Sequence, residues 1–483
     1  MYLILELDGQ LKCVRIERSD IGMLSRTQMS ATRMLDRWLI SHYNTTHRTY
    51  RSSSEHALPA TPRSGGARDL HRRTQAIKRQ HASAKTQLGG RLLMTTEATQ
   101  GHAVVTPEQL EKVRSRIGVE FLPDVYFNTQ ATRDTVRHFC EGLGDSNPLY
   151  CSPSYAAKTA YGRVVAPPEF LYSIYWPRGN GGTMAGIHGW HSGNDWEWYQ
   201  PILEGDEFSV VVKLLSIEEK PSRMAGRIWI TTDETIFRNQ KNQIIAKAKG
   251  WTTRAERRAA GSVGKYKNIE RASYTAEEMA KIIGDYDKEV IRGAEPRFWE
   301  DVQVGEELPS VIKGPLSVRD MNAWLMGAGS PFMKAHSYFY RYLKKHPKVG
   351  MVDNGTGEID VPELVHMQDT RANEIGIPGA YDYGCQRMSW LSNLLTNWAG
   401  DDGFITRMYG EVRRFNVVGD THWIKGKVVG KRVQDGEYVV DLEIWGENQR
   451  NEITAPGKAT IALPSREAGT WPVKQRLAKM RIR

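Results

Sequence analysis

The chain has 483 residues, 40% of them apolar and 25% charged, which fits a globular protein of two or three domains and excludes a disordered or fibrous one. No run of about 18 apolar residues occurs, so no membrane-spanning helix is expected. The net charge of +10 does not argue for a nucleic-acid-binding body, because residues 1–93 hold 16 Lys/Arg and 7 Asp/Glu, a net of +9 that leaves about +1 for the other 390 residues.

Residues 1–100 read as a basic extension expected to be disordered. The stretch from Arg48 to Leu92 is nearly devoid of large apolar side chains, and everything upstream of Met94 is expected to carry no function. Order begins at Thr106-Pro107-Glu108-Gln109, a capping box with proline at the first helical position. A second helix is predicted from about Thr129 to Gly142. Gly144-Asp145-Ser146-Asn147-Pro148 is then turn chemistry. Strands are predicted over 208–214, 227–231 and 244–248, with Asn239-Gln240-Lys241-Asn242 as a turn. Residues 261–295 read as a linker in which Thr275-Ala276-Glu277-Glu278 opens a short helix. Further on, Met388, Leu391, Leu394, Leu395 and Trp398 recur at helical spacing and Gly400 ends the run. Strands follow over 423–429, 438–445 and 458–463, and residues 466–483 read as a basic tail.

Three pairs of marks recur along the chain. Tyr150 and His366 are 216 apart, Gly205-Asp206 and Gly419-Asp420 are 214 apart, and Asn239-Gln240 and Asn448-Gln449 are 209 apart. This near-constant offset predicts an internal duplication of a helix-plus-antiparallel-sheet unit, an α+β layer arrangement. The four cysteines, Cys13, Cys140, Cys151 and Cys385, form no C-x-x-C pair and no zinc spacing. A reducing cytoplasm is the expected setting, with no metal or redox cofactor.

The run Asp145-Ser146-Asn147-Pro148-Leu149-Tyr150 resembles the Asp-x-Asn-Pro-x-His signature of the R-specific enoyl-CoA hydratases, members of the MaoC-like hot-dog dehydratases. Ala166-Pro167-Pro168, Gly193-x-Asp195-x-Glu197 and Gly205-Asp206 resemble the N-terminal domain of double hot-dog acyl dehydratases. His366-Met367-Gln368-Asp369, Gly384 and Arg413 to Asp420 resemble their C-terminal half. The resemblance covers roughly residues 105–465. It implies a double hot dog, with a degenerate N-terminal unit (101–260), a catalytic C-terminal unit (296–465) and an acyl thioester in the seam. It also implies reversible hydration of a 2-enoyl thioester, CoA-linked, with a homodimer or a related hot-dog subunit as possible assembly. A thioesterase, with Asp382 as its carboxylate, and a non-catalytic thioester-binding subunit are the alternatives.

The resemblance puts His366 in the imidazole role. Its carboxylate partner is expected at Asp360, one residue off the family spacing, or at Asp369. Gly384, at a helix start, is the oxyanion candidate, because glycine lets a ligand approach the backbone closely. Asp382, Tyr383 (where the family has histidine), Arg371, Trp196 and Tyr150 are the expected substrate contacts. Tyr150 itself cannot act as a base near neutral pH, since tyrosine titrates near about 10.

Overall fold

The computed structural model describes residues 2–7, 10–15, 104–123, 126–179, 184, 187–222, 226–256, 269–347, 349–352 and 356–482. The expected disorder over 48–92, the position of Met94 and the first part of the 261–295 linker lie outside the described residues. The chain divides into two units, residues 1–69 and 70–483. In the first, Tyr2–Leu7 and Gln10–Arg15 pair as an antiparallel hairpin where a disordered extension was expected. Two apolar-rich runs flank Asp8-Gly9, a two-residue hairpin signal that composition averaged over the whole extension conceals.

The second unit is built on ten strands: β1 (Glu120–Phe121), β2 (His188–Trp198), β3 (Ser209–Ser222), β4 (Gly226–Arg238), β5 (Ile244–Ala255), β6 (Val311–Lys313), β7 (Phe404–Glu411), β8 (His422–Gln434), β9 (Glu437–Asn448) and β10 (Ile453–Ala462). They form one sheet in the order β1-β3-β4-β5-β2-β7-β10-β9-β8-β6. Every strand of the first half has a counterpart five numbers later, placed symmetrically about the β2–β7 junction. That junction is antiparallel, with Arg407 opposite Glu197 and Gly410 opposite Asn194. Both edge strands are short, two and three residues, which limits edge-to-edge pairing.

The duplication is visible in individual hydrogen bonds. In the first half Asp206 accepts from the Leu203 N–H (2.8 Å) and from Gln240 Nε2 (3.2 Å). In the second, Asp420 accepts from the Val417 N–H (3.1 Å) and from Gln449 Nε2 (2.7 Å). Asn239 Oδ1 accepts two backbone N–H groups, from Lys241 and Gln243, and Asn448 Oδ1 accepts those of Arg450 and Glu452. The marks recur because each Asp/Gln pair ties a strand-end turn to the neighbouring hairpin, which the fold needs once per copy.

Among the helices, α1 (Pro107–Arg114) carries the predicted Thr106/Gln109 capping box, and α2 (Arg133–Leu143) is capped by Thr132. Thr275 and Glu278 cap α3 (Ala276–Tyr286), and α4 (Val318–Ala328) precedes α5 (Gly384–Ala399), the longest helix among the described residues. The predicted stripe of α5 is buried, and Gly400 closes it at φ 72°. The first half has no such helix. Its counterpart is the six-residue 3-10 turn Pro168–Ser173. Residues 472–482, read as a tail, form a helix that buries Val473, Leu477 and Met480.

Helices α2 and α4 are equivalent across the duplication and touch backbone to backbone. A Cβ on Gly142 would stand 2.4 Å from the Ala323 carbonyl oxygen, and one on Gly327 would stand 2.5 Å from the His138 carbonyl oxygen. The obstacle is main chain in both cases and cannot swing aside. Gly142→Ala is therefore expected to destabilise the fold by about 1–3 kcal/mol through overpacking. Urea unfolding of the variant beside the wild type measures this.

Candidate functional site

Beside the β2–β7 junction, strand β2 of the first half faces the start of α5 and the loop that precedes it. Two adjoining cavities of about 700 Å³ each lie there, and Trp176, Arg178, His191, His366 and Tyr383 line both. His366 ends the 3-10 turn Pro362–His366. Its Nδ1 is 2.8 Å from the Tyr381 carbonyl oxygen. A carbonyl can only accept, so Nδ1 carries the proton and Nε2 is left as the ring's basic nitrogen. The imidazole also stacks on the Tyr383 ring, with centroids 3.9 Å apart. Burial, with the nearby Arg178 charge adding to it, pushes the imidazole down to about 4, so it is neutral at physiological pH.

Three residues earlier on the same turn stands Glu363, the only carboxylate among residues 361–368. It is buried and accepts from the Ser330 hydroxyl, and burial raises it above the usual carboxylate range. The neighbouring Tyr383 hydroxyl interacts with this carboxyl, lowering the acid while its own titration is pushed up, so the two polar groups meet at the cavity wall.

Gly384 and Cys385 begin α5 and also line the cavity. Tyr383 gives this helix no side-chain cap, so its first N–H groups lack intrahelical partners. The requirement for glycine at 384 comes from packing: a Cβ there would stand 2.5 Å from His191 Nδ1. His191 Nδ1 is also 3.8 Å from the Cys385 sulfur. This is not a nucleophilic pair. Burial pushes the thiol up to about 12 and His191 down to about 4.

The other expected residues fall elsewhere. Asp360 lies on a two-residue strand, and its carboxylate accepts from the Val361 N–H (2.8 Å). Asp369 starts a short helix and accepts from the Ala380 N–H (2.8 Å). Neither lines the His366 cavity, because the extra residue in the loop turns Asp360 into a strand pair with Met351. Arg371 is buried and reaches Glu374 (3.2 Å), away from the cavity. Trp196 is core, stacked on Trp198 and Phe237 with centroids 5.3 and 5.6 Å away. Tyr150 is buried against a separate cavity of about 590 Å³ that shares no lining residue with the His366 site. Asp382 does reach the His366 cavity wall, yet both of its oxygens are taken by the Arg387 guanidinium, at 2.8 Å for Nε. Arg387 goes on to the Arg414 and Thr454 carbonyls and so clamps α5 to the loop after β7 and to the start of β10. Sequence reading missed Glu363, Arg178 and His191. The first had a local signal, its spacing of three from His366; the other two come from the opposite half and had none.

Among the described residues, no group of three or more His, Cys, Asp or Glu could hold a metal ion, and no helix is long and apolar enough to cross a membrane.

Two half-sheets joined through one central strand pair, with a helix against them, define a double hot dog. Residues 115–248 match the family described as FAS1-like, dehydratase domain region. A solved "MaoC-like dehydratase" superposes with a TM-score of 0.51 at 18% identity, covering 73% of this chain and 99% of that one. By fold the chain is a double hot dog similar to that MaoC-like dehydratase, and the dehydratase-region match falls in its first repeat. Curated relatives include a UPF0336 protein of Streptomyces avermitilis, 28% identical over 92 residues (18% of this chain, 61% of the relative). Another, from Thermobifida fusca, is 41% identical over 49 residues (10% of this chain, 30% of the relative). The chain thus spans less than two thirds of the length of either relative.

Two tests follow. Removing Arg387 leaves Asp382 buried and unpaired, so Arg387→Met is expected to cost about 3–5 kcal/mol, and Asp382→Leu added to it should recover part of the loss. Urea unfolding reads both. The second concerns pH. His191 and His366 titrate near about 4 when folded against an ordinary 6.5, so between these values the unfolded chain binds more protons. Their contribution to stability is full above about 6.5 and is lost as pH falls toward about 4. His366→Gln should flatten the dependence of melting temperature on pH in that window.

Proposed function

We propose that the protein is a hydro-lyase that interconverts 2-enoyl and 3-hydroxyacyl thioesters, CoA-linked, at the His366 cavity. One observation carries this reading. A neutral imidazole with its Nδ1 proton pinned lines both of the adjoining cavities, with the buried Glu363 carboxyl on one of them and an uncapped helix start, Gly384 and Cys385, on the other.

In the hydration direction, a water held by His366 Nε2 and Glu363 adds its oxygen to the β-carbon. His366 Nε2 takes the proton that this oxygen sheds. Electron density moves onto the thioester oxygen, which the first N–H groups of α5, from Gly384 and Cys385, stabilise together with the positive end of the helix dipole. The α-carbon receives a proton through Glu363, whose proton affinity burial raises. A proton then returns from the imidazolium to the carboxylate, and both groups are reset. Dehydration runs the same steps backwards. Asp360 and Asp369 have no part in this scheme, since their oxygens bind backbone. The thioesterase alternative loses its carboxylate, because Asp382 is committed to Arg387.

The test is a panel of 2-enoyl-CoAs followed by loss of the conjugated enoyl absorbance, with products identified by mass. Water addition is expected, and His366→Ala should lower kcat by about 10²–10⁴-fold, the range for loss of a general base. The acid limb of kcat/KM should fall near about 4, well below an ordinary histidine, because that is where the imidazole gains its proton. Release of free CoA without water addition, or a profile falling near 6.5, would overturn the scheme.

A further inference from the structure

Arg178 is a charged group of the cavity wall that the hydration chemistry does not use. It lies on the segment that leads from the Pro168–Ser173 turn toward β2, and it lines both cavities. Its guanidinium sits over the Trp176 ring at 5.1 Å and over the Phe332 ring at 5.4 Å. Contacts of this kind hold the planar group in place and leave its N–H edge free to act as a fork. The Nε is buried without a hydrogen-bond partner. Of the other arginines of the walls, Arg387 pairs with Asp382, Arg413 with Glu411 and Arg414 with Glu452, while Arg254 donates to Thr231 Oγ1 (3.0 Å) and the Gly179 carbonyl (2.9 Å). No carboxylate among the described residues lies within ion-pair distance of Arg178.

The position is close to the reacting groups. The Trp176 ring under the guanidinium is 5.8 Å from the Tyr383 ring, which in turn stacks on His366. A cation this far inside a thioester site gives a neutral alkyl chain nothing to gain, since an alkyl tail would desolvate the charge without pairing it. The thioester oxygen already has the start of α5. What remains for a fixed, unpaired guanidinium is a second anionic group on the acyl chain.

Resting on the hydratase reading of this cavity, we propose that the substrate is a short 2-enoyl thioester whose acyl chain ends in a carboxylate, and that Arg178 binds this carboxylate through two parallel N–H···O bonds. Arg178 is thereby the specificity residue of the site. The same arrangement disfavours long unbranched acyl chains, which would bury their methylenes against the guanidinium.

The experiment compares two thioesters on the full chain, 4-carboxybut-2-enoyl-CoA and the neutral 2-pentenoyl-CoA. Each is tested with wild type, Arg178→Gln and Arg178→Lys, with folding checked by thermal melts. Wild type is expected to prefer the carboxylated thioester by at least about tenfold in kcat/KM. In Arg178→Gln that preference ratio should fall by about 100-fold, the scale on which an unmet charge-assisted pair discriminates, and Arg178→Lys should lie between. Binding of both thioesters to the His366→Ala protein by calorimetry gives the same comparison without turnover. A wild type that favours the neutral chain overturns the proposal. So does an equal loss for both thioesters in Arg178→Gln, which would assign the arginine to the CoA moiety or the thioester oxygen. If wild type turns over neither thioester but binds the carboxylated one selectively through Arg178, the specificity inference stands and the hydratase reading falls.

Discussion

The antiparallel pairing of β2 with β7 is the constraint on which the rest of this molecule depends. Each half of the duplication is a five-stranded sheet with one face to cover, and joining them edge to edge turns two small sheets into one of ten strands. Arg407 and Asp195 bridge the join with a bidentate pair at 2.9 and 2.7 Å, and Trp251 stacks on Tyr409 with centroids 5.5 Å apart. The pairing also brings His191 of β2 against the first residue of α5, so close that only glycine fits there. The candidate site is therefore a product of the junction: His366, Glu363 and the helix start come from one half, Arg178 and His191 from the other.

The two halves have diverged in what they do with one plan. The second keeps the long helix, whose exposed N–H groups point a partial positive charge at the cavity. In the first, a 3-10 turn stands in its place. The turn residues Asp145 and Asn147 are spent on backbone, Asp145 accepting from Asn147 and Asn147 from Leu149. Lys313 of the second half adds to this by binding the Leu143 and Gly144 carbonyls at the end of α2. The equivalent position of the first half is thus a packed polar knot, with Tyr150 in the place of the histidine. Its hydroxyl is held far above physiological pH by burial and cannot serve as a base. The asymmetry follows from chemistry at a few residues, while the sheet and its turns remain nearly superimposable in their hydrogen bonds.

Buried polarity carries much of the organisation around the site. The Asp382–Arg387 pair is fully desolvated and ties the start of α5 to the loop after β7 and to the start of β10. A pair of this kind is costly to break and orients the groups around it. It fixes the helix start whose N–H groups face the cavity, and it removes from chemistry the carboxylate that stands nearest in sequence to Gly384.

Local signals in the chain sufficed for most of the elements. Capping boxes at Thr106 and Thr275, the apolar stripe from Met388 to Trp398 and the β-rich runs each encode their structure within a few residues, and all appear at the expected places. The repeated Gly-Asp and Asn-Gln pairs announced the duplication for the same reason, since each makes short-range turn bonds. His366 was legible because its turn follows a known pattern. The carboxylate beside it was not, because a one-residue change in loop length moves every side chain to a new direction: Asp360 went into a strand pair and Glu363 into the cavity. Whether Asp382 lies free or tied to Arg387, and whether Trp196 lines a tunnel or fills the core, depends on neighbours tens to hundreds of residues away. Arg178 and His191 belong to the site only because the β2–β7 pairing closes a sheet across the two copies. By itself the sequence determined six of the ten strands, the capped helices at Thr106 and Thr275, the apolar stripe of α5 and the repeat, all of which rest on contacts within a few residues, while β2 and β7, the pair at the junction, carried no such local signal. Only the tertiary structure decided which charges meet across the seam, because that depends on long-range packing that no local pattern records.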